Sequence, residues 1–211
     1  MRSAKMIAIY RLLLSLLAFS ALITQFVTRA QVKPFNPVNF FSFFTIESNI
    51  LVAVILLFSS LGTALFGRSE QFGFLRGAAT VYILTTGLIY FLLLRGLEES
   101  LQTPIPWVNT VLHYIMPLAM ILDWVINPPT KTITWKQAAS WLVFPLLYVV
   151  YSLIRGPFVN WYPYPFLDPR IGGYGRVFLY SIGISVVIGA ICGLVKMLGN
   201  RSLHIKNNPP Y

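Results

Sequence analysis

Residues 40–66 read FFSFFTIESNILVAVILLFSSLGTALF. The run is long enough to cross a bilayer, which takes about 20 predominantly apolar residues. Yet Thr45, Glu47, Ser48 and Asn49 stand near its start. Hydrocarbon tolerates that density of polar groups only where they face protein or carry chemistry. Residues 107–127, WVNTVLHYIMPLAMILDWVIN, have the same form, with Asn109 and His113 near the start. The two polar entrances are expected to face each other inside a helical membrane protein. Thr45 and His113 are then the candidate pair.

Composition supports that setting. Of 211 residues, 56% are hydrophobic and 10% charged, against about 25% charged in a soluble domain. Mean hydropathy is +0.70. One membrane domain spanning residues 1–211, with short loops, is the expected organisation. The net charge of +10 does not point to nucleic acid: the basic residues sit between apolar runs, as insertion into a membrane requires. The only histidines are His113 and His204, and the single cysteine is Cys192. That leaves no internal disulfide, no thiol metal cluster and no expectation of a metal or haem site needing several His ligands. The basic N-terminus precedes a long apolar run without a small-residue cleavage site, which reads as a retained first span.

Six spans are drawn, at about 6–28, 41–66, 74–95, 107–127, 138–155 and 176–198. Each is too long and too uniformly apolar for a barrel strand, so the fold class is all-α, a bundle of six transmembrane helices. Placing the N-terminus in the cytoplasm puts ten basic residues inside: Arg2, Lys5, Arg11, Arg68, Arg76, Lys131, Lys136, Lys196, Arg201 and Lys206. Six lie outside: Arg29, Lys33, Arg95, Arg155, Arg170 and Arg176. That asymmetry favours both termini inside and sets Glu98 and Glu99 outside. Spans two and four then run in the same direction. At about 1.5 Å rise per residue, Thr45 and His113 fall at one depth, roughly 7–9 Å below the outer interface. The outer connection 156–175, GPFVNWYPYPFLDPRIGGYG, is rich in Pro, Gly and aromatics. It reads as an interfacial anchor, with Trp161, Tyr162 and Tyr164 at headgroup level, or as a lid over a lipid-accessible pocket.

A threonine hydroxyl becomes a useful nucleophile when a neighbouring base takes its proton. A buried imidazole favours the neutral form a general base needs. The plainer alternatives are a Thr45 that bonds its own helix backbone and a His113 that bridges two helices. Asn109, one turn outward from His113, is placed to orient the ring or to donate to an oxyanion. Ser48 and Asn49 are further donor candidates, or inter-helix contacts. Pro117 deprives the His113 carbonyl of its helix partner, so a kink is expected there. Glu47 is a supporting charge, expected to pair with Arg95, Arg155 or Arg176. Asp123 lies about 15 Å deeper than His113 and is rotated by about 80°, so it is expected to pair with Arg11 or Arg76 instead. No G-x-S-G, no H-E-x-x-H and no phosphate-cradling glycine loop is present.

FFTIESNIL (43–51), VLHYIMPLAMILDW (111–124) and YPFLDPRIGGYG (164–175) together resemble the bacterial Pr-six-Pr family of six-span membrane proteins over nearly the whole chain. Through spans two and four the sequence is also similar, more remotely, to the eukaryotic androgen-induced (FAR-type) family. That family comprises intramembrane threonine hydrolases of fatty acid esters of hydroxy fatty acids. The resemblance implies Thr45 as nucleophile, His113 as base, no cofactor, and a multi-pass protein of a bacterial plasma (inner) membrane. It implies membrane lipids as surroundings and an acyl-chain substrate entering from the bilayer, with no obligate protein partner evident. Glu47 departs from the eukaryotic pattern. The competing expectations are a small proton-coupled transporter, using Glu47, Asn49, Asn109 and His113, and a non-catalytic membrane scaffold.

Overall fold

The computed structural model describes residues 2–66, 72–98 and 104–207. Arg68 and Glu99 lie outside the described residues, as do the side chains of Arg2 and Lys206. The described residues are all-α, and among them six helices are long and apolar enough to cross a membrane. Span one is Ala4–Gln31, span two Phe44–Leu65 and span three Gly73–Leu94. Span four is Pro106–Ile126, span five Trp135–Val159 and span six Gly173–Ile205. This is a multi-pass integral membrane protein.

Span three is the hub. It packs on spans two, four and six, while span one lies along span two and reaches span four. Apolar lipid gives helices no hydrophobic reason to associate, so close packing and hydrogen bonds must hold them. Ser15 Oγ donates to the Ala53 carbonyl at 2.7 Å, and Ser60 Oγ to the Ala8 carbonyl at 2.7 Å. These two bonds tie span one to span two. Trp124 Nε1 donates to the Val195 carbonyl at 2.7 Å and links spans four and six. Span five meets span six through its first stretch, Trp135–Ser140, while the backbone of Val143–Val159 stands away from spans three and six.

One buried charge cluster closes the bundle at the end opposite the 160–172 loop. Arg11 Nε meets Asp123 Oδ1 at 2.9 Å, Arg11 Nη2 meets Oδ2 at 3.2 Å, and Arg76 Nη1 lies 3.4 Å from Oδ2. Arg76 also donates to the Asn127 carbonyl. Asp123 thus pairs with both candidate arginines, one from span one and one from span three, and fixes both against span four.

The end that carries Thr45 departs from the expected spans. Span two does not run unbroken from residue 41. A short helix, Pro37–Phe41, capped by Asn36, ends at Ser42, and the long helix restarts at Phe44. Spans five and six each extend beyond 138–155 and 176–198: span five starts at Trp135 behind a Thr134–Gln137 capping box and runs to Val159, and span six runs from Gly173 to Ile205. The connection between them shortens to Asn160–Gly172 and holds two 3₁₀ turns, Pro165–Leu167 and Pro169–Ile171. Asn160 ends span five in the left-handed conformation, with φ 50°. Arg170 staples the loop: it donates to the Asn160 carbonyl at 2.9 Å and to Asp168 Oδ2 at 2.6 Å.

Candidate active site

The helix break places Thr45 in the first turn of a helix. Ser42 closes the short helix, and its carbonyl accepts from the Tyr148 hydroxyl at 2.9 Å. First-turn N–H groups have no acceptor within their own helix. The Thr45 N–H donates instead to the Tyr164 hydroxyl at 3.2 Å. Thr45 Oγ1 lies 3.3 Å from His113 Nε2 and 3.3 Å from the Tyr164 oxygen. The two polar entrances do meet, and both Thr45 and His113 are buried.

The histidine tautomer follows from its second contact. His113 Nδ1 lies 3.2 Å from the Asn109 carbonyl oxygen. A carbonyl can only accept, so Nδ1 carries the proton and Nε2 presents a lone pair to the threonine. Asn109 therefore orients the ring through its backbone. Its side-chain amide donates to the Tyr90 hydroxyl at 2.6 Å.

Two π turns create this arrangement. In span four, Val111–Ile115 winds as a π turn, with the Met116 N–H reaching back five residues to the Val111 carbonyl. Pro117 follows one residue later. The local widening stands where a kink was expected, and such turns are frequent at functional sites. In span three, Tyr90–Leu94 does the same, with Arg95 N–H bonded to the Tyr90 carbonyl at 2.9 Å. The Tyr90 and His113 rings stack with centroids 3.9 Å apart. Gly87 makes this approach possible. A Cβ there would lie 2.9 Å from the His113 carbonyl oxygen and 2.9 Å from Pro117 Cγ.

Beyond Tyr90 stands Glu98. The Tyr90 hydroxyl donates to Glu98 Oε1 at 2.5 Å, and the Gly96 N–H donates to the same oxygen at 3.0 Å. The Tyr90 bond, with help from Gly96, holds the Glu98 carboxyl down at about 2. Glu98 was expected only to mark the outer side. It anchors the ring that backs His113.

Ser48 and Asn49 turn to the threonine's own backbone. Asn49 Nδ2 donates to the Thr45 carbonyl at 2.8 Å and Ser48 Oγ to the same carbonyl at 3.2 Å. Ser48 also meets Thr86 Oγ1 at 2.8 Å, which fixes spans two and three together. Glu47 corrects an expectation. It is half-buried and has no ion pair among the described residues. The three arginines expected to meet it lie over aromatic rings: Arg95 over Phe91, Arg155 over Trp161 and Arg176 over Tyr180.

An open cleft of about 690 Å³ borders Thr45. Leu146 and Val149 of span five line one side and Ile184 and Ile188 of span six the other, with Tyr164 and Phe166 at the loop end. Its walls are chiefly apolar, and its width follows from the stand-off of Val143–Val159. Among the described residues, no group of three or more His, Cys, Asp or Glu converges as a metal site would require.

Sequence reasoning treated Tyr164 as a headgroup anchor. It is buried, its ring stacks on Phe166 at 5.1 Å, and it meets Phe43 edge-on at 5.6 Å. Burial pushes its phenol up to about 12, against the opposing effect of its bonds to Thr45. It therefore keeps its proton at neutral pH. The available signal was its place between Pro163 and Pro165. Two prolines stiffen the backbone on either side of one tyrosine, more than an anchor in the headgroup layer needs.

Compared with protein-family models, with curated proteins and with solved structures, the chain has no match.

Proposed function

We propose that this protein is an intramembrane threonine hydrolase that cleaves lipid esters, with fatty acid esters of hydroxy fatty acids as the representative substrate class. The observation that carries this reading is the Thr45 Oγ1–His113 Nε2 contact of 3.3 Å, with the far ring nitrogen held by the Asn109 carbonyl, beside an apolar cleft. A neutral imidazole with its free lone pair on a hydroxyl is the arrangement that activates a nucleophile. Thr45 also sits at a helix N-terminus, where the helix dipole favours developing negative charge.

In this reading His113 takes the Thr45 proton as Oγ1 attacks the ester carbonyl, and later returns it to the departing alcohol. Ser48 and Asn49 hold the Thr45 backbone still through its carbonyl. The acyl chain occupies the cleft and enters sideways from the bilayer between spans five and six. The remote resemblance to the FAR-type hydrolases supports the same two residues. We place both termini in the cytoplasm and the site near the outer face of a bacterial plasma membrane, from the distribution of Lys and Arg.

The test is hydrolysis of a long-chain ester by purified protein in proteoliposomes. Wild type is expected to turn over, while Thr45→Ala and His113→Ala fall to background with their folded state intact. Full hydrolysis by either variant would remove the reading. A proton-coupled carrier is the second reading, favoured by the half-buried Glu47 carboxylate without an ion pair among the described residues. Solute uptake by the same vesicles without ester cleavage would select it.

A further inference from the structure

Thr45 and Tyr164 line the cleft, and His113 stands behind Thr45, so that three hydroxyl or imidazole groups converge at Thr45 Oγ1. Thr45 and His113 account for nucleophile and base, which leaves Tyr164 without a role. A threonine hydrolase also needs donors for the negative oxygen of the tetrahedral intermediate. Asn49 and Ser48 direct their donors to the Thr45 carbonyl, and Asn109 directs its amide to Tyr90. The Tyr164 hydroxyl is the donor nearest the reacting atom, at 3.3 Å from Oγ1.

We propose that the Tyr164 hydroxyl is the oxyanion donor of this site, gripping the carbonyl oxygen of a bound ester as Thr45 Oγ1 attacks its carbon. The proposal rests on the threonine-hydrolase reading.

The direction of each hydrogen bond supports it. The Thr45 N–H donates to the phenol oxygen, so the phenol proton is directed elsewhere. His113 Nε2 is an acceptor, so the Thr45 hydroxyl donates to it and keeps its lone pairs for another donor. Tyr164 is that donor: the row runs from Thr45 N–H to Tyr164, from Tyr164 to Thr45 Oγ1, and from Oγ1 to His113. A hydrogen bond accepted by the phenol oxygen strengthens the one its proton makes. The ring is held by Phe166 and Phe43, and its loop by Arg170 across Asn160 and Asp168. The donor is therefore fixed before substrate arrives.

The reaction uses this row in a defined order. Thr45 Oγ1 passes its proton to His113 Nε2 and forms a bond to the carbonyl carbon. The π pair of the carbonyl moves onto its oxygen. The Oγ1 lone pair that Tyr164 held is now in the new bond, so the Tyr164 O–H turns to the oxyanion without giving up its proton. Collapse restores the carbonyl and breaks the bond to the alkoxy group, which takes the proton from His113. A water molecule then repeats the sequence, releases the carboxylic acid and returns the proton to Thr45. The Tyr164 bond to oxygen strengthens only as charge develops, so it acts on kcat and not on substrate binding.

The test is steady-state hydrolysis of para-nitrophenyl palmitate by the full chain in detergent, with Thr45→Ala, Tyr164→Phe and Phe166→Leu measured in parallel. Tyr164→Phe keeps both ring contacts and removes one oxygen. It is expected to lower kcat about 100- to 1,000-fold with KM close to wild type, and to lower the melting temperature, because the buried Thr45 N–H loses its acceptor. Phe166→Leu loosens the ring but keeps the hydroxyl, and is expected to lose less. Wild-type kcat in Tyr164→Phe, with Thr45→Ala inactive, would overturn the role of Tyr164 and leave the hydrolase reading standing. Equal losses of kcat and of melting temperature in Tyr164→Phe and Phe166→Leu would assign Tyr164 to packing and overturn it likewise. Wild type no more active than Thr45→Ala would remove the hydrolase reading and this role with it.

Discussion

Gly87→Ala isolates the packing that brings His113 to Thr45. The new methyl would sit 2.9 Å from the His113 carbonyl oxygen and 2.9 Å from Pro117 Cγ, where carbon atoms normally rest at about 3.5–4.0 Å. Neither neighbour is a flexible side-chain end, since one is backbone and the other a proline ring. Spans three and four must part by about 1 Å, and the stacked Tyr90 and His113 rings part with them. Overpacking of this kind costs about 1–3 kcal/mol of stability. Misplacement of a reacting group by about 1 Å costs on the order of 100-fold in rate, or about 2.7 kcal/mol of barrier. The assay is the rate of covalent labelling by a fluorophosphonate probe, read beside thermal unfolding in detergent. Gly189→Ala is the control, because a Cβ at 189 meets nothing within 4 Å. Gly87→Ala is expected to slow labelling about 100-fold while Gly189→Ala matches wild type. A Gly87→Ala protein with wild-type labelling and stability would refute the account of how span three holds the histidine.

Asp123→Asn leaves Arg11 and Arg76 buried without their carboxylate, and removing one member of a buried ionic cluster costs about 3–5 kcal/mol. Thermal unfolding in detergent is expected to show that loss, while molecules that remain folded label at Thr45 at the wild-type rate, since the cluster lies at the other end of the bundle. Glu98 is a carboxylate whose folded value is depressed to about 2 from 4.5. Its contribution is present above 4.5 and is lost as pH falls through about 2. Tyr90→Phe removes the main cause of the depression, so the Glu98 carboxyl is expected to titrate closer to 4.5, read by infrared difference spectroscopy against Glu98→Gln.

The spans were legible because apolar length and flanking charge act locally along the chain. The Asp123 pair was legible because a charge at that depth must find an opposite charge at the same level. The shared level of Thr45 and His113 followed from direction and helical rise alone. The break at Ser42 was not legible, because Phe40, Phe41, Phe43 and Phe44 continue the apolar pattern straight through it. What ends the short helix is tertiary: Tyr148 and Tyr151 of span five bond Ser42 from a distance of over 100 residues in sequence. The kink expected at Pro117 was resolved into a π turn only by its packing on Gly87. Tyr164 was hidden by composition, since a tyrosine in an outer loop between prolines has the signature of an interfacial anchor. The pairing expected of Glu47 was not met: Arg95, Arg155 and Arg176 lie over Phe91, Trp161 and Tyr180 instead.

The central claim is that Thr45 is a nucleophile activated by His113. Mass-spectrometric mapping of the fluorophosphonate adduct on the purified full chain tests it most directly. The account predicts a single adduct on the peptide that contains Thr45, absent from both Thr45→Ala and His113→Ala. An adduct on any other residue, or labelling that persists in His113→Ala, would contradict it.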